Sequence, residues 1–185
     1  MDRRVQYTKK VIKETFLSLL EEKDMNSITV TEICSKADIN RATFYRYYLD
    51  PYDLLKQIET EFIDTVKDKY AERGTPNDTF PNFTKGILDI VLSNKKLVQI
   101  LFNTNHNAYF LTEVLEIAFE NCLAYWADKT PESNEKDFGY ALVYAFNGAL
   151  GVINYWIKND FEDSTDYIAS LISDCARHGI DGFLK

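Results

Sequence analysis

The chain has 185 residues, of which 45% are hydrophobic and 14% aromatic, with only 7 Gly and 4 Pro and a net charge of −8. This composition indicates an ordered globular protein, and the length allows one substantial core, or a small domain of about 50 residues joined to a larger one of about 130. The three cysteines are odd in number and form no CxxC pair, so the sequence indicates neither a disulfide framework nor a cysteine zinc site. No window approaches the roughly 20 apolar residues of a membrane span, and the N-terminus lacks a secretory pattern. We therefore expect a soluble, cytoplasmic protein with no membrane association, metal or cofactor.

Charge is unevenly distributed along the chain. Residues 1–56 contain 10 Lys/Arg and 9 Asp/Glu, net +1, whereas the remaining residues contain 11 and 20, net −9. The N-terminal third can approach a polyanion while the rest of the chain remains acidic.

The first predicted helix covers roughly residues 4–22. Ile12, Phe16 and Leu19 recur at helical spacing on one face, and strand signals are nearly absent from the whole chain. The pattern predicts an amphipathic helix that packs on the helices that follow.

Two short helices are predicted next, separated by a tight turn. Thr29 is a candidate N-cap for the first, with Glu32 three residues later as in a capping box. Asp38 tolerates the left-handed conformation that such turns need, and Asn40 is a good N-cap for the second helix, predicted over 41–48.

A longer helix is predicted from Pro51 to about residue 72. Asp50 is its candidate N-cap, and Pro51 and Asp53 suit the first turn. Periodicity then predicts helices near 82–93, 95–103, 107–128, 134–158 and 163–182, with Asp163 or Ser164 capping the last one.

The segment 41–48 has the chemistry of a helix that enters the major groove of DNA. It contains no acidic residue, and two short helices after a longer one are the parts of a helix-turn-helix. Phe44 and Tyr48 lie four apart and face the core, whereas Arg41 and Tyr45 point elsewhere. The aromatic residues thus divide into a packing pair and a surface set.

The run "TVTEICSKADINRATFYRYYLDPYDLL" resembles the DNA-binding signature of the TetR family of bacterial transcriptional regulators. The resemblance covers about residues 5–60. It implies an all-α fold of about nine helices, with a three-helix DNA-binding domain at 1–50. The remainder, 51–185, would be a helical regulatory and dimerisation domain, with the helix at about 51–72 connecting the two.

The resemblance also implies which residues contact DNA. Arg41 and Thr43 would reach base edges, and Tyr45 and Tyr47 would bind phosphates through their hydroxyls. The full predicted set is Thr29, Thr31, Asn40, Arg41, Ala42, Thr43, Tyr45, Arg46, Tyr47 and Lys56. One departure concerns Leu49 and Pro51, which stand where lysine is common in the family; Lys56 is a possible substitute.

The C-terminal region contains glycines inside a predicted helix, each costing about 1 kcal/mol relative to alanine. Close helix approach would explain them, either in the dimer interface that the resemblance implies or within the core of one chain. The predicted dimer residues are Tyr144, Gly148, Gly151, Tyr155, Ile168, Leu171, Ile172 and Cys175.

Other aromatic residues of this region could line an apolar effector cavity, although plain core packing is the competing interpretation. The predicted pocket residues are Phe62, Phe102, His106, Tyr109, Phe110, Tyr125, Trp126 and Phe146. His106 is a possible polar contact in such a pocket, or a histidine of a surface loop.

Together these features predict a homodimeric regulator that binds double-stranded operator DNA, most simply a repressor released by an unknown small apolar effector. The alternatives are an activator or co-regulator controlled by a protein partner, and a helical enzyme or carrier that uses the C-terminal pocket. The sequence contains no nucleotide-binding, metalloprotease or nucleophile-elbow motif, so we expect no enzymatic activity.

Overall fold

A computed structural model describes residues 3–73, 80–103, 112–114, 116–117 and 135–181, and all regular structure within these ranges is helical. The all-α fold class is therefore confirmed. The α-helices with described bounds are α1 (Arg3–Glu22), α2 (Val30–Lys36), α3 (Arg41–Tyr45), α4 (Pro51–Arg73), α5 (Phe80–Ser93), α6 (Lys95–Asn103), α7 (Glu135–Lys158) and α8 (Thr165–Asp181). A 3₁₀ turn, Met25–Ser27, follows α1, and most of the helix predicted at 107–128 lies outside the described residues.

The chain divides into two compact units. The first comprises Met1–Asp64 and Lys96–Asn107, and the second comprises Thr65–Lys95 and Ala108–Lys185. The division falls inside α4, whereas the sequence placed a domain boundary at its start. No helix in the described ranges has the length and apolar character needed to cross a bilayer.

The core of the first unit forms where α1, α2 and α3 pack together. Ile12 and Phe16 of α1, Ile33 of α2 and Phe44 of α3 are fully buried. Burial of these side chains supplies most of the stability of such short helices, since helices below about 12 residues are marginal alone.

The helix starts follow the predicted capping chemistry. The Glu32 N–H donates to Thr29 Oγ1 at 3.2 Å, so Thr29 is the N-cap of α2. Asp38 has φ 52°, the left-handed conformation expected for the turn. The Asp53 N–H donates to Asp50 Oδ1 at 2.8 Å, which makes Asp50 the cap of α4.

In the second unit, α8 packs against both α5 and α7. Trp156 of α7 is buried, and its indole N–H donates to the Asp163 carbonyl oxygen at 2.8 Å, which fixes the turn between α7 and α8. The Tyr167 N–H donates to Ser164 Oγ at 3.2 Å, so Ser164 rather than Asp163 caps α8.

Candidate nucleic-acid interface

The helix predicted over 41–48 is shorter in the structure: α3 covers Arg41–Tyr45, and Arg46 and Tyr47 form the turn that follows it. The Arg46 N–H donates to the Ala42 carbonyl oxygen at 3.2 Å, and the Tyr48 N–H donates to that of Phe44 at 3.0 Å. These bonds continue the helical pattern through the turn that follows α3.

Asn40 fixes the start of this segment. Its Oδ1 accepts the Thr43 N–H at 2.8 Å and the Thr43 hydroxyl at 2.9 Å. Asn40 is thereby the N-cap of α3, and the Thr43 hydroxyl proton is committed to it. Because the hydroxyl is used in this way, the methyl group of Thr43 is the part of the side chain left for a thymine methyl group.

The aromatic residues divide between core and surface as predicted. Phe44 is 0% exposed and Tyr48 is buried beside it, with ring centroids 5.6 Å apart. Burial is the main cause that raises the pKa of Tyr48 to about 12, so this hydroxyl remains protonated at neutral pH. Tyr45 is 48% exposed, and Tyr47 is half-buried with Lys9 Nζ 5.7 Å from its ring centroid.

Arg41 and Tyr45 contact each other on the exposed side of α3. Arg41 Nη2 donates to the Tyr45 hydroxyl oxygen at 3.2 Å, and the guanidinium carbon lies 5.8 Å from the centroid of the tyrosine ring. The hydrogen bond to Tyr45 raises the pKa of Arg41, so the guanidinium is fully charged.

The lysines around this segment are mostly paired with carboxylates. Lys36 lies 2.8 Å from Glu22, and Lys13 and Lys23 pair with Glu61 and Glu32. Arg46 and Lys56, in contrast, are exposed and have no acidic partner within the described part of the chain. Positive charge without a carboxylate partner among the described residues is therefore present at Arg46, which follows α3, and at Lys56 in the first turns of α4.

The start of α4 differs from a phosphate-binding helix end. The Leu49 N–H, which precedes the helix, donates to Asp53 Oδ2 at 2.9 Å, and Asp50 accepts the Asp53 N–H. The carboxylates of Asp53 and Asp50 therefore accept from two backbone N–H groups that could otherwise donate to a DNA phosphate. Leu49 itself is 78% exposed, where the resemblance led us to expect a lysine.

All ten predicted DNA-contact residues are at least partly exposed. Thr43 and Tyr47 are half-buried, and the others are exposed: Thr29, Thr31, Asn40, Arg41, Ala42, Tyr45, Arg46 and Lys56. The structure brings the residues from Asn40 to Tyr47 together in α3, its N-cap and the turn that follows it. Thr29 is the N-cap of α2 and Thr31 lies in its first turn.

The second unit presents a separate apolar surface, which we call the α7 stripe: Tyr140, Tyr144, Gly148, Gly151 and Tyr155. These residues recur at steps of three or four and share one helix face. Tyr144 is 77% and Tyr155 72% exposed. A Cβ added at Gly148 or Gly151 would meet no atom of the described residues within 4 Å, so packing within the described part of this chain does not require these glycines.

The predicted dimer residues of α8 divide into two groups. Leu171 and Cys175 are exposed, whereas Ile168 and Ile172 are buried in the core of the second unit. The reason is that α8 packs on α5 and α7, so one of its apolar faces is already occupied within the chain. Tyr140, Val143 and Tyr167 were missed from the sequence, although Tyr140 precedes Tyr144 by four residues and that spacing could have revealed it.

An apolar groove of 270 Å³ lies between α7 and α8. The α7 stripe contributes Tyr140 and Tyr144 to it, and Cys175 of α8 lies on the other side. Its remaining lining residues are small: Ala141, Ala145, Ala176 and Gly179.

Three of the predicted pocket residues are described. Phe62 is buried in the first unit, and Phe102 and Phe146 are half-buried. The other five, His106, Tyr109, Phe110, Tyr125 and Trp126, lie outside the described residues. Within the described ranges, no group of three His, Cys, Asp or Glu residues could hold a metal ion.

Comparison with known proteins relates the chain to transcriptional regulators. An uncharacterized HTH-type transcriptional regulator of Bacillus subtilis (strain 168), YxbF, is 33% identical over 94 residues, 50% of this chain and 25% of that protein. The HTH-type dhaKLM operon transcriptional activator DhaS of Lactococcus lactis subsp. lactis (strain IL1403) is 29% identical over 136 residues, 72% of this chain and 65% of that protein. The chain thus spans less than two thirds of the length of either curated relative.

Solved structures with this fold include a TetR transcriptional regulator from Streptococcus agalactiae 2603V, with TM-score 0.68 and 20% identity, covering 95% of this chain and 96% of that one. The dihydroxyacetone kinase operon activator DhaS has TM-score 0.65 and 21% identity, covering 95% and 97%. At these identities the likeness establishes the fold.

The C-terminal region supplies the family assignment. Residues 78–178 match a TetR C-terminal family model described as "Transcriptional regulator C-terminal region". This match covers more than half of the chain, and the chain belongs to the TetR family of transcriptional regulators.

Proposed function

We propose that this regulator binds double-stranded operator DNA as a homodimer, with the segment Asn40–Tyr47 in the major groove. Arg41 and Thr43 read base edges, while Tyr45, Arg46 and Tyr47 bind phosphates. Thr29, Thr31 and Lys56 add contacts to the backbone on either side.

The observation that carries the proposal is the distribution of paired and unpaired charge. Lys13, Lys23 and Lys36 are neutralised by glutamates, whereas Arg46 and Lys56 have no carboxylate partner in the described ranges. Arg41 donates to the Tyr45 hydroxyl oxygen and has no carboxylate partner among the described residues. Counterion release drives DNA binding. A DNA-binding helix therefore requires positive charges that no carboxylate of the protein already neutralises.

The second copy is proposed to pair through the α7 stripe together with Leu171 and Cys175 of α8. The open space around Gly148 and Gly151 supports an intermolecular reason for these glycines, and the groove beside them can accept a side chain from the partner. Two recognition helices related by a two-fold axis are what two operator half-sites demand.

The proposal is tested by fluorescence anisotropy with a duplex from the promoter beside the protein's own gene. Wild-type protein is expected to bind it with affinity that falls as salt rises, and to prefer it over a scrambled duplex. Arg41→Ala is expected to lose discrimination at one base pair, worth about tenfold or more for a bidentate arginine contact with guanine. A wild-type protein that prefers no sequence would contradict operator recognition.

Leu49→Lys is expected to tighten binding by up to about tenfold at 0.1 M salt and to steepen the salt dependence by about 0.9 in log–log slope, as for one added phosphate contact. The substitution is tolerated by the fold because Leu49 is 78% exposed and only its backbone N–H is used. Leu49→Gln, which adds no charge, is the control and should leave the slope unchanged. An unchanged slope for Leu49→Lys would place the start of α4 away from the phosphates.

The direction of regulation has two candidates. Repression relieved by a small apolar effector is the simpler expectation for a protein that occupies its operator alone. Activation is favoured by the relative DhaS, whose name describes a transcriptional activator. Transcription in vitro from the bound promoter distinguishes them, since added protein lowers transcript yield in the first case and raises it in the second.

A further inference from the structure

The contact between Arg41 and Tyr45 gives the tyrosine a second role beyond the phosphate contact assigned above. The two side chains are one helical turn apart and both are exposed. The guanidinium donates to the phenolic oxygen at 3.2 Å and lies 5.8 Å from the ring centroid. The ring of Tyr45 is itself held edge-on against the buried ring of Phe44, with centroids 5.8 Å apart. Arg41 is therefore linked to the core through Tyr45.

A tyrosine hydroxyl can donate one hydrogen bond while accepting another. Here the oxygen accepts from Arg41, so the hydroxyl proton remains available to an acceptor on the DNA. A phosphate oxygen is such an acceptor, and a hydroxyl that already accepts from a cation is polarised toward donation. One hydroxyl can thus join a DNA phosphate to the guanidinium.

We propose that Tyr45 is a positioning residue for Arg41: by donating to a phosphate while accepting from the guanidinium, it fixes the orientation in which the arginine reads a base. This inference rests on the proposed function. Bidentate contact with guanine requires the guanidinium plane to align with O6 and N7, and a free arginine side chain must lose rotamer entropy to hold that orientation. Discrimination at the base pair read by Arg41 therefore depends on the Tyr45 hydroxyl.

The neighbouring side chains cannot take this role. The Thr43 hydroxyl donates to Asn40 at 2.9 Å. Tyr47 lies on another line of the helix, where its ring faces Lys9 rather than Arg41. Tyr47 is therefore a matched control: the same residue type, proposed to bind phosphate, but without the arginine contact.

The test compares Tyr45→Phe, Tyr47→Phe and Arg41→Ala by competition anisotropy on the operator and its single-base-pair variants. Tyr47→Phe is expected to weaken all duplexes by a similar factor. Tyr45→Phe is also expected to weaken binding to all duplexes. In addition, it should remove most of the discrimination at the base pair that Arg41 reads, which is the base pair where Arg41→Ala removes discrimination. In the double variant Arg41→Ala/Tyr45→Phe, discrimination there should equal that of Arg41→Ala alone, because the tyrosine acts through the arginine.

The inference fails if Tyr45→Phe lowers affinity uniformly and retains full discrimination. It also fails if Tyr47→Phe removes discrimination at the base pair that Arg41 reads. Operator binding by the family's helix-turn-helix would stand in either case. Absence of sequence preference in the wild-type protein would instead overturn the proposed function. Circular dichroism of each variant verifies that the helices are intact, as expected for hydroxyl removal at partly exposed tyrosines.

Discussion

Phe44→Ala is expected to lower the free energy of unfolding by about 3–5 kcal/mol, the usual loss for a buried phenylalanine in a packed core. Phe44 is 0% exposed, and its ring contacts those of both Tyr45 and Tyr48. Because α3 has only five residues, it has almost no helical stability of its own and depends on this anchor. Operator binding should be lost although Phe44 has no exposed surface with which to contact DNA. Urea denaturation followed by circular dichroism measures the stability, and anisotropy measures the binding.

Tyr45→Ala is the matched control, since it truncates the adjacent aromatic residue of the same helix. Tyr45 is 48% exposed, so its removal should cost about 1 kcal/mol of stability or less while still impairing DNA binding. Loss of binding would then have two separable causes: a disordered helix in the first variant and a missing contact in the second. Equal destabilisation by the two substitutions would mean that the division of the aromatics into core and surface is wrong.

This division was predictable from the sequence because it depends on spacing within one short helix. Residues four apart share a face, so Phe44 and Tyr48 lie on one side and Arg41 and Tyr45 on another, and the charge of Arg41 marks its side as the exposed one. Thr29 and Asp50 could be predicted as caps for a similar reason, since capping is local chemistry between residues three apart. The left-handed conformation of Asp38 was predictable for the same reason, because it depends on a local preference of the residue itself.

Features that depend on distant residues or on side-chain orientation were not predictable. The pair Lys13 and Glu61 joins residues 48 positions apart, and no local pattern indicates that this lysine is neutralised. Ile168 and Ile172 were assigned to the dimer interface only because the family resemblance implies an interface on the last two helices. Periodicity alone cannot tell the side that faces α5 and α7 from the side that faces solvent. The bond from Arg41 to Tyr45 lies at predictable spacing, but its formation depends on rotamers that a sequence does not specify.

The second large effect is expected for Gly148→Leu, a substitution at one of the glycines of α7. In a single chain this substitution should be harmless or stabilising. A Cβ at Gly148 meets no atom within 4 Å among the residues that the structure describes, and glycine costs a helix about 1 kcal/mol relative to good helix formers. In the proposed dimer the same side chain would enter a close helix contact. Overpacking costs about 1–3 kcal/mol per site and occurs twice across a two-fold axis, so the dimer dissociation constant should rise about 30-fold or more.

Gly139→Leu provides the control within the same helix. Gly139 is also exposed with open space around it, but it lies nine residues before Gly148, which is two and a half turns and therefore the opposite side of the helix. Analytical ultracentrifugation over a concentration series should show dissociation for Gly148→Leu and wild-type behaviour for Gly139→Leu. Dimers of unchanged affinity in both variants would place the interface on another surface.

Gly148→Leu is also expected to change operator binding, although Gly148 is not one of the DNA-contact residues. Half-sites about one helical turn of DNA apart, roughly 34 Å, require two recognition helices held in a fixed relation. Gly148→Leu leaves the residues from Asn40 to Tyr47 untouched, so its monomers should retain weak binding to a single half-site. The affinity for the full operator should fall with the dimer affinity and recover as protein concentration rises, since mass action restores the dimer. Arg41→Ala should show no such recovery, because its loss is in base recognition. This contrast in concentration dependence separates a defect of assembly from a defect of contact.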